Sequence, residues 1–185
     1  MIIAGVDEVG RGALAGPVVA CAVILPPDYV NLEIKDSKKL SARKRERLAV
    51  EIQKNAIAIG IGVVCNILID KIGIVPATKQ AMHMAIIRLG TPCDKIIVDA
   101  VALNNLPCPH EHPYKADDLY PCVSAASIVG KVYRDALMVK LATVSPAYQW
   151  DKNKGYGSAA HIAAIKDVGL SPLHRRTFCS AFSAN

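Results

Sequence analysis

At 185 residues the chain is long enough to bury one sizeable core and too short for two large domains. Apolar residues make up 52% and charged ones 21%, which excludes a disordered chain, and no run of eighteen apolar residues offers a membrane-spanning helix. The net charge is +6, and the six cysteines are scattered without a Cys-x-x-Cys pair, a pattern expected of reduced thiols in a cytoplasmic protein.

The first residues lack a basic leader, so no signal peptide is expected. Residues 1–7 alternate around small side chains and run into Gly10-Arg11-Gly12, a turn signal. Residues 17–25 form a second apolar run that ends at Pro26-Pro27, and the two predict a hairpin or meander. Ser41 is a candidate N-cap for a helix to about residue 55, with Leu48 and Ile52 on one face. A third strand is expected over 56–65. A helix follows over 74–89, with Pro76 in its first turn, Met82, Ile86 and Leu89 facing inward, and Gly90 ending it. Residues 95–99 predict a buried strand bearing Asp99 at its end. After an irregular, proline-rich loop at 104–113 comes a long helix over 123–142, with Val129, Val132 and Leu137 among its apolar positions and Ser145-Pro146 stopping it. A loop over 148–157, a helix over 158–168 and a last helix after Ser171-Pro172 complete the chain. Strands alternating with helices after an antiparallel start predict an α/β fold, a mixed sheet flanked by helices. A single domain over 1–185 is expected, with a core over about 1–145 and a short helical C-terminal extension over 146–185.

The acids are where chemistry is expected. Asp7 closes the first predicted strand and is followed by Glu8 and the glycine turn, while Asp99 closes the strand at 95–99. Asp117 and Asp118 precede the long helix, and Asp135 lies on it four residues after Lys131. Binding sites of α/β sheets collect at strand ends. Carboxylates gathered there would repel one another unless a cation neutralised them, and oxygen ligands without His or Cys favour Mg²⁺ or Mn²⁺ over zinc. A single strand-end acid is more often an ordinary solvated residue, so spacing alone leaves their convergence open.

Two further features carry alternatives. Between residues 35 and 47 seven basic side chains stand against two acids, which reads either as a solvated helix face or as a patch that tracks phosphates. Cys108, His110 and His112, with Cys93 as a fourth ligand, offer a zinc reading, but their spacing fits no common zinc pattern and a surface loop is preferred.

Several blocks resemble a known family. Asp7-Glu8-Val9-Gly10-Arg11-Gly12, with Leu14-Ala15-Gly16-Pro17-Val18, is similar to the N-terminal signature of type 2 ribonuclease H, the ribonuclease HII family. Asp36-Ser37-Lys38-Lys39-Leu40 resembles its next block. Lys115-Ala116-Asp117-Asp118, Ser124-Ala125-Ala126-Ser127-Ile128 and Lys131 to Arg134-Asp135 resemble a third. Asn153-Lys154-Gly155-Tyr156-Gly157, His161, Gly169-Leu170-Ser171 and His174-Arg175 resemble the C-terminal block. The blocks keep the family's order over nearly the whole chain.

The resemblance implies a ribonuclease H-like sheet and an endonuclease that hydrolyses the RNA strand of RNA/DNA hybrids and ribonucleotides embedded in duplex DNA. Cleavage would fall 5′ to the ribonucleotide and leave a 3′-hydroxyl and a 5′-phosphate. It implies Asp7, Glu8, Asp99 and Asp117 as catalytic metal ligands for two Mg²⁺ or Mn²⁺ ions, with Asp135 as a supporting ligand or a helix ion pair with Lys131. The backbone of Gly10, Arg11 and Gly12 would read the 2′-OH, Tyr156 would pack on a sugar, and Ser37, Lys38, Lys39 and Lys154 would contact the substrate strand. The expected partners are RNA/DNA hybrid and ribonucleotide-containing duplex DNA, with no membrane, no obligate protein partner and a monomeric state. A DNA-junction nuclease of the same chemistry is the first alternative, but it would have no use for a 2′-OH reader. A non-catalytic nucleic-acid-binding module is the second, and it would be expected to lose some of the acids. Three departures stand out: Ala13 where proline is frequent, Ala100 where glycine is common, and Gly130 inside a predicted helix.

Overall fold

The computed structural model describes residues 1–31, 33–34 and 40–182. Strands β1 (Ile3–Val9) and β2 (Val18–Ile24) are rich in small and β-branched residues, and β2 is buried along its whole length, as a strand covered on both faces must be. They pair antiparallel, Asp7 opposite Cys21. Helix α1 (Ala42–Asn55) starts where the Ser41 hydroxyl accepts the Lys44 amide N–H, and Leu48, Ala49 and Ile52 form its buried stripe. Strand β3 (Ala58–Val64) returns antiparallel to β2. Helices α2 (Asn66–Ile72) and α3 (Ile74–Arg88) follow, hinged at Gly73 with φ 85°.

Strand β4 (Lys95–Val98) then enters parallel to β1, Val98 beside Val6, and strand β5 (His110–Glu111) adds parallel to β4. The sheet order is β3-β2-β1-β4-β5, a mixed sheet as expected. A one-turn helix α4 (Ala116–Leu119) leads into the long helix α5 (Pro121–Val144). A 3₁₀ turn (Pro146–Tyr148) and helices α6 (Trp150–Asn153), α7 (Ala159–Val168) and α8 (Arg176–Cys179) complete the chain.

The pleat divides the core. Ala4, Val6, Ala20, Ala22 and Ile24 face α3, against Ala81, Met82 and Ala85. Cys21, Val23 and Ile97 face α1 and α5, against Leu48, Ile52, Val123 and Ile128. Gly5 lets α5 approach β1 closely, because a Cβ there would stand 2.3 Å from the backbone of Cys122 and Val123. A third cluster joins Leu14, Ala15, Met138 and Ala142 to Tyr148, Trp150, Ile165 and Cys179, so the C-terminal segment is packed onto the loop after β1. Among the described residues no helix is long and apolar enough to cross a membrane.

The expected elements appear with shifted bounds, and five short ones were not foreseen: α2, β5, α4, α6 and the 3₁₀ turn. The expectation that Asp7 closes its strand is corrected. β1 runs on to Val9, so Asp7 and Glu8 lie inside it and are held by its pairing with β2.

Candidate active site

Asp7 points to the α5 face of the sheet, where it is 8% exposed. Its Oδ1 accepts the Glu8 amide N–H at 2.7 Å, and the Ser127 hydroxyl of α5 also bonds its side chain. Burial, with Glu8 and Asp99 nearby, pushes its carboxyl up to about 8, against the pull of the Ser127 bond. Glu8 is raised as well, first by burial, with Arg11 working against it across a 3.4 Å ion pair.

The parallel pairing of β1 with β4 delivers Asp99. Its amide N–H donates to the Val6 carbonyl at 3.0 Å, which sets it beside Asp7 on the neighbouring strand. Asp99 Oδ1 in turn accepts the Ala116 amide N–H at 2.8 Å, and that bond draws the start of α4, with Asp117 next in sequence, to the end of β4. The Ser124 hydroxyl donates to the Asp117 carbonyl and ties α4 to α5. Asp117 is 2% exposed whereas Asp118 is exposed, so of this pair it is Asp117 that the fold turns inward.

Asp135 lies farther along α5. It accepts a 2.7 Å ion pair from Lys131 one turn back on α5, eight residues and about 12 Å along the helix from Ser127. With Arg45 and Lys154 it lines a groove of about 340 Å³ between α1 and α5.

Two arginines missing from the expected site are completely buried and shape it. Arg175 donates to the carbonyls of Gly10 at 2.7 Å, Arg11 at 2.8 Å and Gly16 at 3.0 Å. Arg134 donates to the carbonyls of Pro17 at 3.0 Å, Lys154 at 2.9 Å and Ala15 at 3.3 Å. Burial lowers both guanidinium groups, Arg175 to about 10 with Arg134 nearby, yet each stays charged at neutral pH and is met by carbonyl dipoles. Together they fix the 10–17 loop and the 153–157 loop against each other, and Leu14 and Ala15 complete the joint by donating to the Gly155 carbonyl at 2.8 and 3.2 Å. Gly10 is required here twice over: its φ is 91°, and a Cβ would stand 2.1 Å from Arg134 Nε. A Cβ on Gly12 would meet nothing within 4 Å.

Tyr156 lies at the same joint, half-buried, with Arg134 5.2 Å and Lys131 5.4 Å from its ring centre. The Lys154 ammonium donates to the Asp151 carbonyl. Arg134 and Arg175 thus bring the Gly10–Gly12 loop, which follows Asp7 and Glu8 in the chain, together with Lys154 and Tyr156. Ser37, Lys38 and Lys39 lie outside the described residues. Of the basic run, Arg43, Lys44 and Arg47 are exposed on α1, where Lys44 and Arg47 pair with Glu33.

Among the described residues no group of three or more His, Cys, Asp or Glu side chains stands close enough to hold a metal ion as it is. The segment read as a surface loop rather than a zinc site is one: Cys93 and Cys108 meet, sulfur to sulfur at 3.7 Å, but His110 and His112 are exposed on and beyond β5.

The family model for ribonuclease HII matches residues 4–181. A ribonuclease HII of Lachnoclostridium phytofermentans is 51% identical over 176 residues, which is 95% of this chain and 69% of that protein. The crystal structure of ribonuclease H2 from Pyrococcus horikoshii superposes with a TM-score of 0.80 at 28% identity, covering 96% of this chain and 93% of the other. Ribonuclease HII of Archaeoglobus fulgidus, solved as a complex with PCNA, superposes with a TM-score of 0.79 at 26% identity, covering 96% and 94%. With Asp7 buried on β1, Asp99 at the end of the parallel strand β4, a clamped glycine loop after them and a family match that spans almost every residue, the chain belongs to the ribonuclease HII family.

Proposed function

We propose that this chain is an endoribonuclease that hydrolyses the RNA strand of RNA/DNA hybrids and single ribonucleotides embedded in duplex DNA, cutting 5′ to the ribonucleotide to leave a 3′-hydroxyl and a 5′-phosphate. The observation that carries the reading is the placement of Asp7 beside Asp99 on parallel strands, with Asp117 tied in through the Ala116–Asp99 bond and the Gly10–Gly12 loop continuing directly from Glu8. Asp7, Glu8, Asp99 and Asp117 are an all-oxygen donor set. The burial of Asp7 and Asp117, and the raised proton affinity of Asp7 and Glu8, fit a site whose charge a divalent cation would neutralise. Mg²⁺ or Mn²⁺, two ions in the active complex, would supply an activated water and charge stabilisation at the leaving oxygen.

The remaining work falls to the chain itself. Ser127 and the Glu8 amide orient the Asp7 carboxylate. Arg175 holds the carbonyls of Gly10 and Arg11 and so fixes the loop whose amides would meet the substrate. The open space at Gly12 lets the main chain approach a sugar, as reading of a 2′-OH requires. The Tyr156 ring offers a flat apolar surface to the neighbouring sugar, while Lys154 and the exposed cations of α1 suit phosphates. Asp135 sets Lys131 beside Tyr156 and is left out of the ligand set. The protein acts as a monomer on this reading.

The experiment is cleavage of a labelled DNA duplex carrying one ribonucleotide, with Mg²⁺, with Mn²⁺ and with chelator, beside an all-DNA duplex and the Asp7→Asn variant. The expected result is one metal-dependent cut 5′ to the ribonucleotide, none in the all-DNA duplex, and no cut by the variant although it still binds hybrid. Cutting of the all-DNA duplex would favour a DNA-junction nuclease. Binding without cleavage by the unaltered chain would leave a binding module.

A further inference from the structure

Beneath the loop that carries Lys154 and Tyr156 runs a buried chain of donors and acceptors. Trp150 and His161 are fully buried and His174 is 1% exposed. The Trp150 indole N–H can only donate, and it reaches His161 Nε2 at 3.0 Å. That nitrogen is therefore an acceptor, and the His161 proton sits on Nδ1, which donates to the Tyr156 carbonyl at 2.9 Å. On the other side the Ser171 amide N–H donates to His174 Nδ1 at 3.0 Å. The His174 proton then sits on Nε2 and is shared with His161 Nε2 at 3.0 Å. One tautomer of each neutral ring leaves no two N–H groups facing each other, with the single lone pair of His161 Nε2 shared between the Trp150 and His174 donors, whereas a charged ring would set two N–H groups face to face.

The two ends of this chain meet the two halves of the proposed ribonucleotide reader. At one end is the Tyr156 carbonyl. At the other, His174 bridges to Ala15, the Gly16 amide donates to Leu173, and Arg175 grips Gly10 and Arg11. Two imidazoles buried without partners would be costly, and leucine would fill the same space; what they add is direction. We infer that His161 and His174 are positioning residues, a neutral relay that fixes Tyr156 relative to the Gly10–Gly12 loop and so sharpens selection of a ribonucleotide over a deoxynucleotide. The inference rests on the reading of Tyr156 and that loop given above.

Two substitutions split the relay. His161→Gln sets an oxygen near the Nε2 position, keeping the acceptor for Trp150 and His174 and removing the donor to Tyr156. His161→Asn sets an N–H near the Nδ1 position, keeping that donor and removing the acceptor. Steady-state kinetics on a duplex with one ribonucleotide should show kcat/KM falling about fivefold to tenfold in His161→Gln, mostly through KM, as loss of one positioning hydrogen bond implies. His161→Asn should recover most of that loss, and His161→Gln should add nothing in a Tyr156→Ala background. Equal melting losses in the two variants with unaltered kcat/KM would overturn the inference and leave a structural pair. So would a His161→Gln effect undiminished by Tyr156→Ala. If Tyr156→Ala alone spares single-ribonucleotide cleavage, the Tyr156 reading itself falls and takes the relay with it. Nitrogen-15 shifts of the unaltered protein add a check that needs no variant: neutral rings at pH 7, with His161 protonated on Nδ1 and His174 on Nε2, are expected, and the opposite tautomers would overturn the inference.

Discussion

Ala100 follows Asp99 in the left-handed region, with φ 49°, and its amide N–H donates to the Pro113 carbonyl at 3.2 Å. A side chain with a Cβ pays about 1–2 kcal/mol for that conformation. The sequence shows the departure, alanine where the family commonly has glycine, but the backbone angle that gives it meaning comes only from the fold. Ala100→Gly relieves the strain at the expense of a more flexible unfolded chain, so a net gain of about 1 kcal/mol is expected, a rise of roughly 2–4 °C in Tm. A calorimetric scan of the two proteins checks it; an unchanged or lower Tm would mean that the turn relaxes at no cost. The acids followed the same division. Asp7, Glu8 and Asp117 stand in the motif blocks and Asp99 only at the end of an apolar run, whereas the approach of Asp99 to Asp7 depends on β1 pairing with a strand some ninety residues away, which no local pattern encodes. Arg134 and Arg175 were visible only as members of blocks, and their burial against six loop carbonyls could not be read from spacing.

At the level of elements, periodicity served the long helices and failed the short pieces. The apolar stripe and Ser41 cap of α1, the inward Met82 and Ile86 of α3 and Leu89 at its C-cap stood in the sequence and are buried as expected. β5 is two exposed residues, so it has no alternation to detect, and α2 opens at Cys65 without a side-chain cap. Gly130 looked like a defect within α5, but a Cβ there would stand 3.2 Å from the Cys21 Cβ, so the glycine belongs to the seam between α5 and β2. The tighter seam is α3 on β3. A Cβ at Gly62 would stand 1.9 Å from the Ala81 carbonyl oxygen, and backbone on both sides cannot move aside as a side chain would. Gly62→Ala must push α3 away from the sheet and open the core around Ala81 and Ala85, at about 3 kcal/mol or more. Denaturant unfolding should show a midpoint displaced by that amount; a shift below about 1 kcal/mol would mean that the sheet bends to accommodate the methyl.

The whole molecule is held across its length by the cluster that joins Leu14 and Ala15 to Trp150, Ile165 and Cys179, so the C-terminal segment is part of the active-site frame. Its histidines give that frame a pH dependence. Burial, with His161 beside it, lowers His174 to about 4, and burial lowers His161 too. Between pH 6.5 and pH 4 the unfolded chain therefore takes up protons that the folded chain refuses, and stability must fall as pH falls through that window. For His174 the contribution is roughly 2–3 kcal/mol, present in full above pH 6.5 and gone below about pH 4. Asp7 pulls the opposite way: raised to about 8, it binds its proton in the folded state first, so below pH 8 it offsets part of the histidine effect. A single stability curve mixes the two, and a difference curve separates them. His174→Gln retains a donor near Nε2 and cannot titrate. Metal-free denaturant titrations of both proteins should show the stability advantage of the unaltered chain shrinking by roughly 2–3 kcal/mol from pH 7 to pH 4. A difference that stays flat across that range would mean that His174 is protonated in the folded state, and the neutral chain from Ser171 to Tyr156 would lose its physical basis.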